Sequence, residues 1–281
     1  MSSFTIATLV LLSALLHALW NALIKRERDV QAATLAVMTV AVVLSAAAAV
    51  LRRTWFPSGD ALACALASGL CEAGYFATLS RSLAVGPLGQ YYPVSRGGAL
   101  LIVWPVSMIW LGERAGGLSL AGAVLVAIGL LAIGLPGARF QSTRRADGLG
   151  WAVLSALFIA TYNLLYKQAM ALGSEPATVF ATSISVALVL NVAAIGKRRE
   201  NIIGILSRRP IPMISAGAVC CASFWIFLYC LQRGGAGALV TLRNSSVLFA
   251  QGFAWFLGER ATPVQILGAV AIALGAALLT A

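Results

Sequence analysis

Three charged side chains stand inside runs that otherwise hold little that is polar: Glu72 in LASGLCEAGYF, Arg96 in YYPVSRGGALLIVW and Arg243 in LVTLRNSSVLF. A charge at the centre of a bilayer costs roughly 2.5–3.5 kcal/mol on insertion scales, so an ionisable residue placed there is a functional candidate. Arginine presents a planar fork that matches the oxygens of a carboxylate or a phosphonate. One carboxylate cannot neutralise two well-separated guanidinium groups, which leaves at least one arginine in want of an anion. The competing structural reading is that Glu72 pairs with one arginine and locks two helices together. In the functional reading the arginines take an anionic group, and Glu72 takes an ammonium group or a proton.

Aromatic and amide side chains complete the candidate binding set. His17, Trp20 and Asn21 share the first apolar run, and Tyr162 and Asn163 take matching places in the sixth. Tyr75 and Trp225 lie well inside their runs, whereas Tyr91 and Tyr92 sit where aromatic side chains commonly anchor a span to the interface. His17 is the only histidine. Its ordinary pKa near 6.5 makes it a candidate proton carrier, beside the plainer role of a hydrogen bonder between helices. Neither HExxH nor GxSxG occurs, and the five cysteines form no CxxC pair. No catalytic residue, metal site or cofactor is therefore expected.

The elements that must position these groups are membrane spans. The chain is 60% hydrophobic and 10% charged, with a mean hydropathy of +0.91. A soluble domain carries about 25% charged residues, so this composition cannot cover a water-facing surface. The net charge of +11 is dispersed in short clusters between apolar runs, such as KRER (25–28) and KRR (197–199). That is the distribution of membrane-flanking anchors, not of a basic patch for nucleic acid, and no nucleic acid partner is expected. Ten runs of about 20 residues can be read. They are 4–24, 31–51, 61–80, 88–111, 118–136, 148–167, 177–195, 211–231, 237–257 and 264–281. The first has no basic leader or A-x-A cleavage site and is expected to stay as a span. Loops are short, the longest around 196–210, which leaves no room for a soluble domain.

The chain repeats itself. LSALLHALWNALIK (12–25) returns as LSALFIATYNLLYK (154–167), aligning Asn21 with Asn163 and Lys25 with Lys167. LGERAGGLSLAGAVLVAIG (111–129) returns as LGERATPVQILGAVAIALG (257–275), aligning Gly122 and Gly129 with Gly268 and Gly275. The expected fold class is thus an all-α membrane protein of ten transmembrane helices, arranged as two inverted five-helix repeats over 1–137 and 148–281. Five spans is an odd number, so the second copy enters the membrane from the opposite side, with a substrate site near the midplane. Arg96 and Arg243 then fall at nearly equivalent places in opposite halves of the bilayer. The paired glycines are expected to pack the last helices of the two copies together. Glu113, Arg114, Glu259 and Arg260 of the two LGER segments are expected at helix ends, as caps.

Ten spans in two halves, with LGER leading into the last helix of each, resemble the drug/metabolite transporter superfamily, EamA-type, over essentially the whole chain. The stretch GPLGQYYPVSRG (86–97) is also similar to members found with phosphonate-utilisation genes. The resemblance implies a multi-pass secondary transporter of the cell (inner) membrane. Such a protein moves a small anionic or zwitterionic metabolite, an amino acid or a phosphonate, by alternating access, commonly outward. The implied partners are the small-molecule substrate and the lipid bilayer, and both a coupling proton and a homodimer are compatible with the plan. A non-transporting scaffold or lipid-binding subunit is the alternative, ahead of an intramembrane enzyme, for which one histidine and one deep carboxylate are a poor inventory. Orientation sets two expectations against each other. Loops after odd-numbered spans hold thirteen Lys and Arg, from Lys25 to Arg260, against five after even-numbered spans: Arg52, Arg53, Arg114, Lys167 and Arg233. The positive-inside rule puts both termini outside the cytoplasm, whereas the resemblance implies both inside.

Overall fold

The computed structural model describes residues 2–24, 27–85, 88–134, 144–196, 200–256 and 262–280, and among these the regular structure is helical throughout. The helices are α1 (Ser3–Ile24), α2 (Val30–Leu51), α3 (Gly59–Val85), α4 (Leu88–Trp110), α5 (Gly117–Gly134), α6 (Arg144–Ala171), α7 (Pro176–Ile195), α8 (Glu200–Arg208), α9 (Pro210–Leu231), α10 (Ala236–Arg243), α11 (Ser246–Phe256) and α12 (Pro263–Thr280). Lipid offers the backbone no hydrogen bonds, so an apolar run must satisfy its own amides as a helix. Helix starts follow ordinary capping chemistry. Asp29 accepts from the Ala32 amide at 3.1 Å before α2, and Pro176 and Pro210 open α7 and α9, where a missing N–H costs nothing.

Six segments are long and apolar enough to cross a bilayer: α1, α2, α7, α9, Gly59–Leu79 of α3 and Gly148–Ala171 of α6. The chain is a multi-pass membrane protein. Its strongest packing runs between residues before 135 and residues after 143: α3 against α6 and α7, α5 against α12, α1 against α9, and α4 against α6. Ser13 and Ser223 illustrate the join. Each hydroxyl donates to the other residue's carbonyl, at 2.8 and 2.9 Å.

The α5–α12 contact brings two backbones together at glycines on both sides. A methyl group on Gly122 would stand 2.7 Å from the carbonyl oxygen of Gly275, and one on Gly275 would stand 2.6 Å from that of Gly122. Gly129 and Gly268 repeat the arrangement at 2.6 and 2.7 Å. The sequence repeat aligns Gly122 with Gly268 and Gly129 with Gly275, so each glycine touches the counterpart of its helix mate. The expectation that these glycines serve helix packing is met.

Two segments depart from the expected spans. The loop around 196–210 contains α8, an amphipathic helix with Ile202 buried and Ile203 exposed. Its neighbourhood is tied to the α1–α2 loop: Arg209 donates to Glu27 at 2.8 Å and Asn201 to Asp29 at 3.0 Å. These two loops share one face of the molecule. The expected ninth span, 237–257, is interrupted. Between α10 and α11 the amides of Ser245, Val247 and Leu248 bond three residues back, a tightened turn at Asn244–Ser245.

Candidate functional site

A cavity of about 670 Å³ lies among α1, α2, α3, α4, α6, α7, α9 and α11. It reaches Val30 and Gln31 in the first turn of α2, on the face that carries the α1–α2 loop. His17, Trp20, Asn21, Glu72, Tyr75, Arg96 and Tyr162 line it. Four stretches far apart in sequence are thus brought to one space. Arg243, Asn163 and Trp225 are absent from the lining. Asn163 donates to the Ile159 carbonyl at 2.7 Å within its own helix, and Trp225 donates to the Ser45 hydroxyl at 3.2 Å.

Arg96 is buried, with Nη2 3.3 Å from Nε2 of His17 and its guanidinium carbon 5.9 Å from the centre of the Tyr75 ring. Trp20 Nε1 approaches the other ring nitrogen of His17, Nδ1, at 3.4 Å. Arginine and the indole N–H are donors only, and a neutral imidazole can accept at one nitrogen. The ring therefore faces a donor at each nitrogen and, when neutral, can accept from only one of them. His17 is placed to orient Arg96.

Glu72 is buried on α3 and is held by hydroxyl groups. Tyr166 of α6 donates to Oε1 at 2.7 Å and Ser183 of α7 to Oε2 at 2.8 Å, while the two hydroxyl oxygens lie 2.7 Å apart. Among the described residues Glu72 makes no salt bridge. The carboxylate ties α3 to α6 and α7 through hydrogen bonds, not through the arginine pairing weighed from the sequence.

Arg243 ends α10 just behind the cavity wall. Its guanidinium carbon stands 4.2 Å from the centre of the Phe224 ring and 4.1 Å from that of Phe227, and Phe224 itself lines the cavity. The turn that follows leaves Arg243 Nε and Nη2, Asn244 Nδ2 and Ser245 Oγ buried without hydrogen-bond partners among the described residues. Three of these four atoms only donate, so the cluster is suited to an acceptor. Ser246, next in the chain, lines the cavity.

At its other end α10 is clipped in place. Glu113, from the segment between α4 and α5, accepts from the amides of Ala236 at 2.7 Å and Gly237 at 3.3 Å. These are first-turn donors with no partner inside the helix, so the side chain acts as a cap from across the molecule. Lys167 donates to the carbonyls of Leu231 and Gly234, both at 2.8 Å, closing the α9–α10 corner. Trp104 of α4 lies against Gly237, where a methyl group would come within 2.9 Å of the indole, and donates to Thr241 at 2.9 Å. The capping expected of LGER is thus observed at Glu113. Glu259 and Arg260 lie outside the described residues.

Sequence reading missed Tyr166, Ser183, Phe224 and the Asn244–Ser246 turn. The signal for Asn244–Ser246 was present as three consecutive polar residues directly after an intramembrane arginine. Tyr166 and Ser183 carry no local signal, since their role exists only once α3, α6 and α7 are packed.

Comparison with known proteins agrees with this architecture. Residues 147–281 match the model of the EamA-like transporter family. No curated protein matches the sequence. Among 29 matching chains of solved structures, one described as "Crystal structure of protein" superposes with a TM-score of 0.73. The match covers 99% of this chain and 97% of that one at 16% identity, a likeness of fold.

Proposed function

We propose that this EamA-like chain, a membrane transporter of the drug/metabolite type, is a secondary transporter. In this reading it carries a small anionic or zwitterionic metabolite out across the cell (inner) membrane by alternating access. The observation that carries the proposal is the cavity of about 670 Å³ that Arg96 and Glu72 both face, deep among helices from both ends of the chain. Its asymmetry fits alternating access: one end reaches the first turn of α2, while α10 and the Glu113 cap lie outside the lining.

Ten crossings result if α4, α5, α12 and the α10–α11 pair also traverse the bilayer. Two features favour the division at 1–137 and 148–281 into inverted repeats. The α5–α12 glycines meet reciprocally, as equivalent residues do about a two-fold axis. Asn21 and Asn163, aligned by the repeat, each donate to the carbonyl four residues back, both at 2.7 Å. Discontinuous helices at the substrate level are common in transporters built from such repeats, and the α10–α11 break is one.

Glu72 fits a coupling proton. Three short oxygen–oxygen contacts join Glu72, Tyr166 and Ser183, but the two hydroxyls supply only two protons. A proton on Glu72 would complete the ring.

The test is flux in sealed vesicles containing the purified protein. Arg96→Lys keeps the charge and loses the fork, so transport of an anionic substrate should fall while thermal stability holds. Arg96→Ala should abolish it. Full flux in a stable variant with both Arg96 and Glu72 replaced by apolar residues would overturn the binding role.

A further inference from the structure

We infer that the substrate class of this cavity is an organic anion with an apolar body, such as an aromatic or branched aliphatic monocarboxylate, in preference to a compact phosphonate or an amino acid. The inference rests on the transporter reading of the same site. The cavity's volume of about 670 Å³ falls in the range of roughly 300–1,000 Å³ that accommodates drug-sized ligands. A metabolite of five or six heavy atoms would leave most of it unfilled. Much of the remaining wall is apolar, formed by Ile24, Leu35, Met38, Phe76, Leu79 and Phe253, with Gln31, Thr34 and Asn191 as uncharged polar groups among them.

The polar end is equally one-sided. Arg96 faces the cavity, the ring nitrogens of His17 face the N–H donors of Trp20 and Arg96, and the Arg243–Asn244 cluster behind Phe224 adds donors without partners among the described residues. An amino acid seated with its carboxylate on Arg96 brings its ammonium group within one carbon of that carboxylate, into the same donor-rich surroundings. Glu72 is the one carboxylate on the lining among the described residues. Each of its oxygens already accepts one hydroxyl, from Tyr166 and from Ser183. The site therefore rewards an anion and an apolar body, and it offers an ammonium group only a carboxylate already engaged by two hydroxyls.

Four compounds of graded chemistry test this on the purified full-length chain in detergent, read as thermal stabilisation against concentration. 3-Phenylpropionate has the anion and the body, phenylalanine adds an ammonium group, 2-phenylethylamine has the body and a cation, and methylphosphonate has the anion alone. 3-Phenylpropionate should stabilise at the lowest concentration and phenylalanine at a concentration at least about tenfold higher, the discrimination expected when a site leaves a charged group unpaired. The other two should have no effect at these concentrations. Arg96→Gln should remove the response. Met38→Trp, which fills the apolar end, should weaken it at least tenfold. Phenylalanine binding as tightly as 3-phenylpropionate overturns the anion preference, and methylphosphonate doing so overturns the apolar body. Stabilisation by none of the four overturns the inference. Flux of other solutes in vesicles would then leave the transporter reading standing, whereas a folded protein that moves no solute would remove that as well.

Discussion

A single methyl group placed in the α5–α12 seam should destabilise the protein even though it improves helix propensity. In Gly129→Ala the new carbon would lie 2.6 Å from the Gly268 carbonyl oxygen, 2.9 Å from Ile272 Cγ1 and 3.1 Å from Ala271 Cβ. Unstrained carbon contacts lie at roughly 3.5–4.0 Å, so the helices must separate by about 1 Å or bend. The nearest atom is a backbone carbonyl held in its own helix ladder, which cannot rotate away as a side chain could. Overpacking of this kind costs about 1–3 kcal/mol. The gain from replacing a helical glycine by alanine returns roughly 0.5–1 kcal/mol. The balance is a loss of up to about 2.5 kcal/mol, a fall of up to several degrees in the unfolding midpoint at roughly 2–4 °C per kcal/mol. Gly150→Ala in α6 is the matched control. Nothing lies within 4 Å of its added carbon, so only the propensity gain remains and the midpoint should rise. Thermal unfolding of the detergent-purified variants, followed by tryptophan fluorescence, reads both signs. A Gly129→Ala protein at least as stable as the wild type would refute the close-contact argument.

Removing the cap in Glu113→Ala strands two amides at the start of α10 and should cost about 1–3 kcal/mol in the same assay, with Glu113→Gln recovering the part due to Ala236, since its amide oxygen can replace Oε1 but its amide nitrogen cannot accept from Gly237. Equal losses in the two variants would show that charge, not hydrogen bonding, holds the corner. Topology is tested by reporters fused after Ala281. One that is active only outside the cytoplasm should be active if the thirteen-to-five distribution of basic residues sets orientation. Activity of a cytoplasm-only reporter there would establish the opposite arrangement.

Where the bilayer itself dictates structure, the sequence was easy to read. The runs expected at 31–51, 177–195 and 211–231 lie within one residue of α2, α7 and α9, because a span must hold about 20 apolar residues and little else. The glycines of α5 and α12 were legible for a related reason: close helix approach in lipid needs small residues at regular spacing. The cavity residues on α1, α3 and α4 stood out as polar groups in apolar runs. Other features depend on tertiary packing. Tyr166 and Ser183 lie 94 and 111 residues from Glu72, and nothing local marks either as a partner. The ninth run reads as one apolar stretch, yet the chain turns at Asn244–Ser245, where α10 packs on α4 and α11 on α1. Arg243 looked equivalent to Arg96, but two phenylalanine rings hold it behind the wall. In α8 the pattern NIIGIL has helical spacing, yet nine residues are too few to cross a membrane, so the segment read as a loop.

The cap at the α9–α10 corner also provides a spectroscopic handle. Opening amides of a helix ordinarily exchange their hydrogens with solvent quickly, since no carbonyl precedes them to accept. Ala236 and Gly237 are exceptions because a carboxylate from the α4–α5 segment occupies their N–H groups. Deuterium uptake at these two positions thus reports whether two distant parts of the chain are engaged, independently of whether α10 itself stays wound. A protein that spends time with this end released would show faster labelling at Ala236 and Gly237 while Leu239 to Leu242 stay slow, which turns a pair of backbone amides into a clock for the opening of that face.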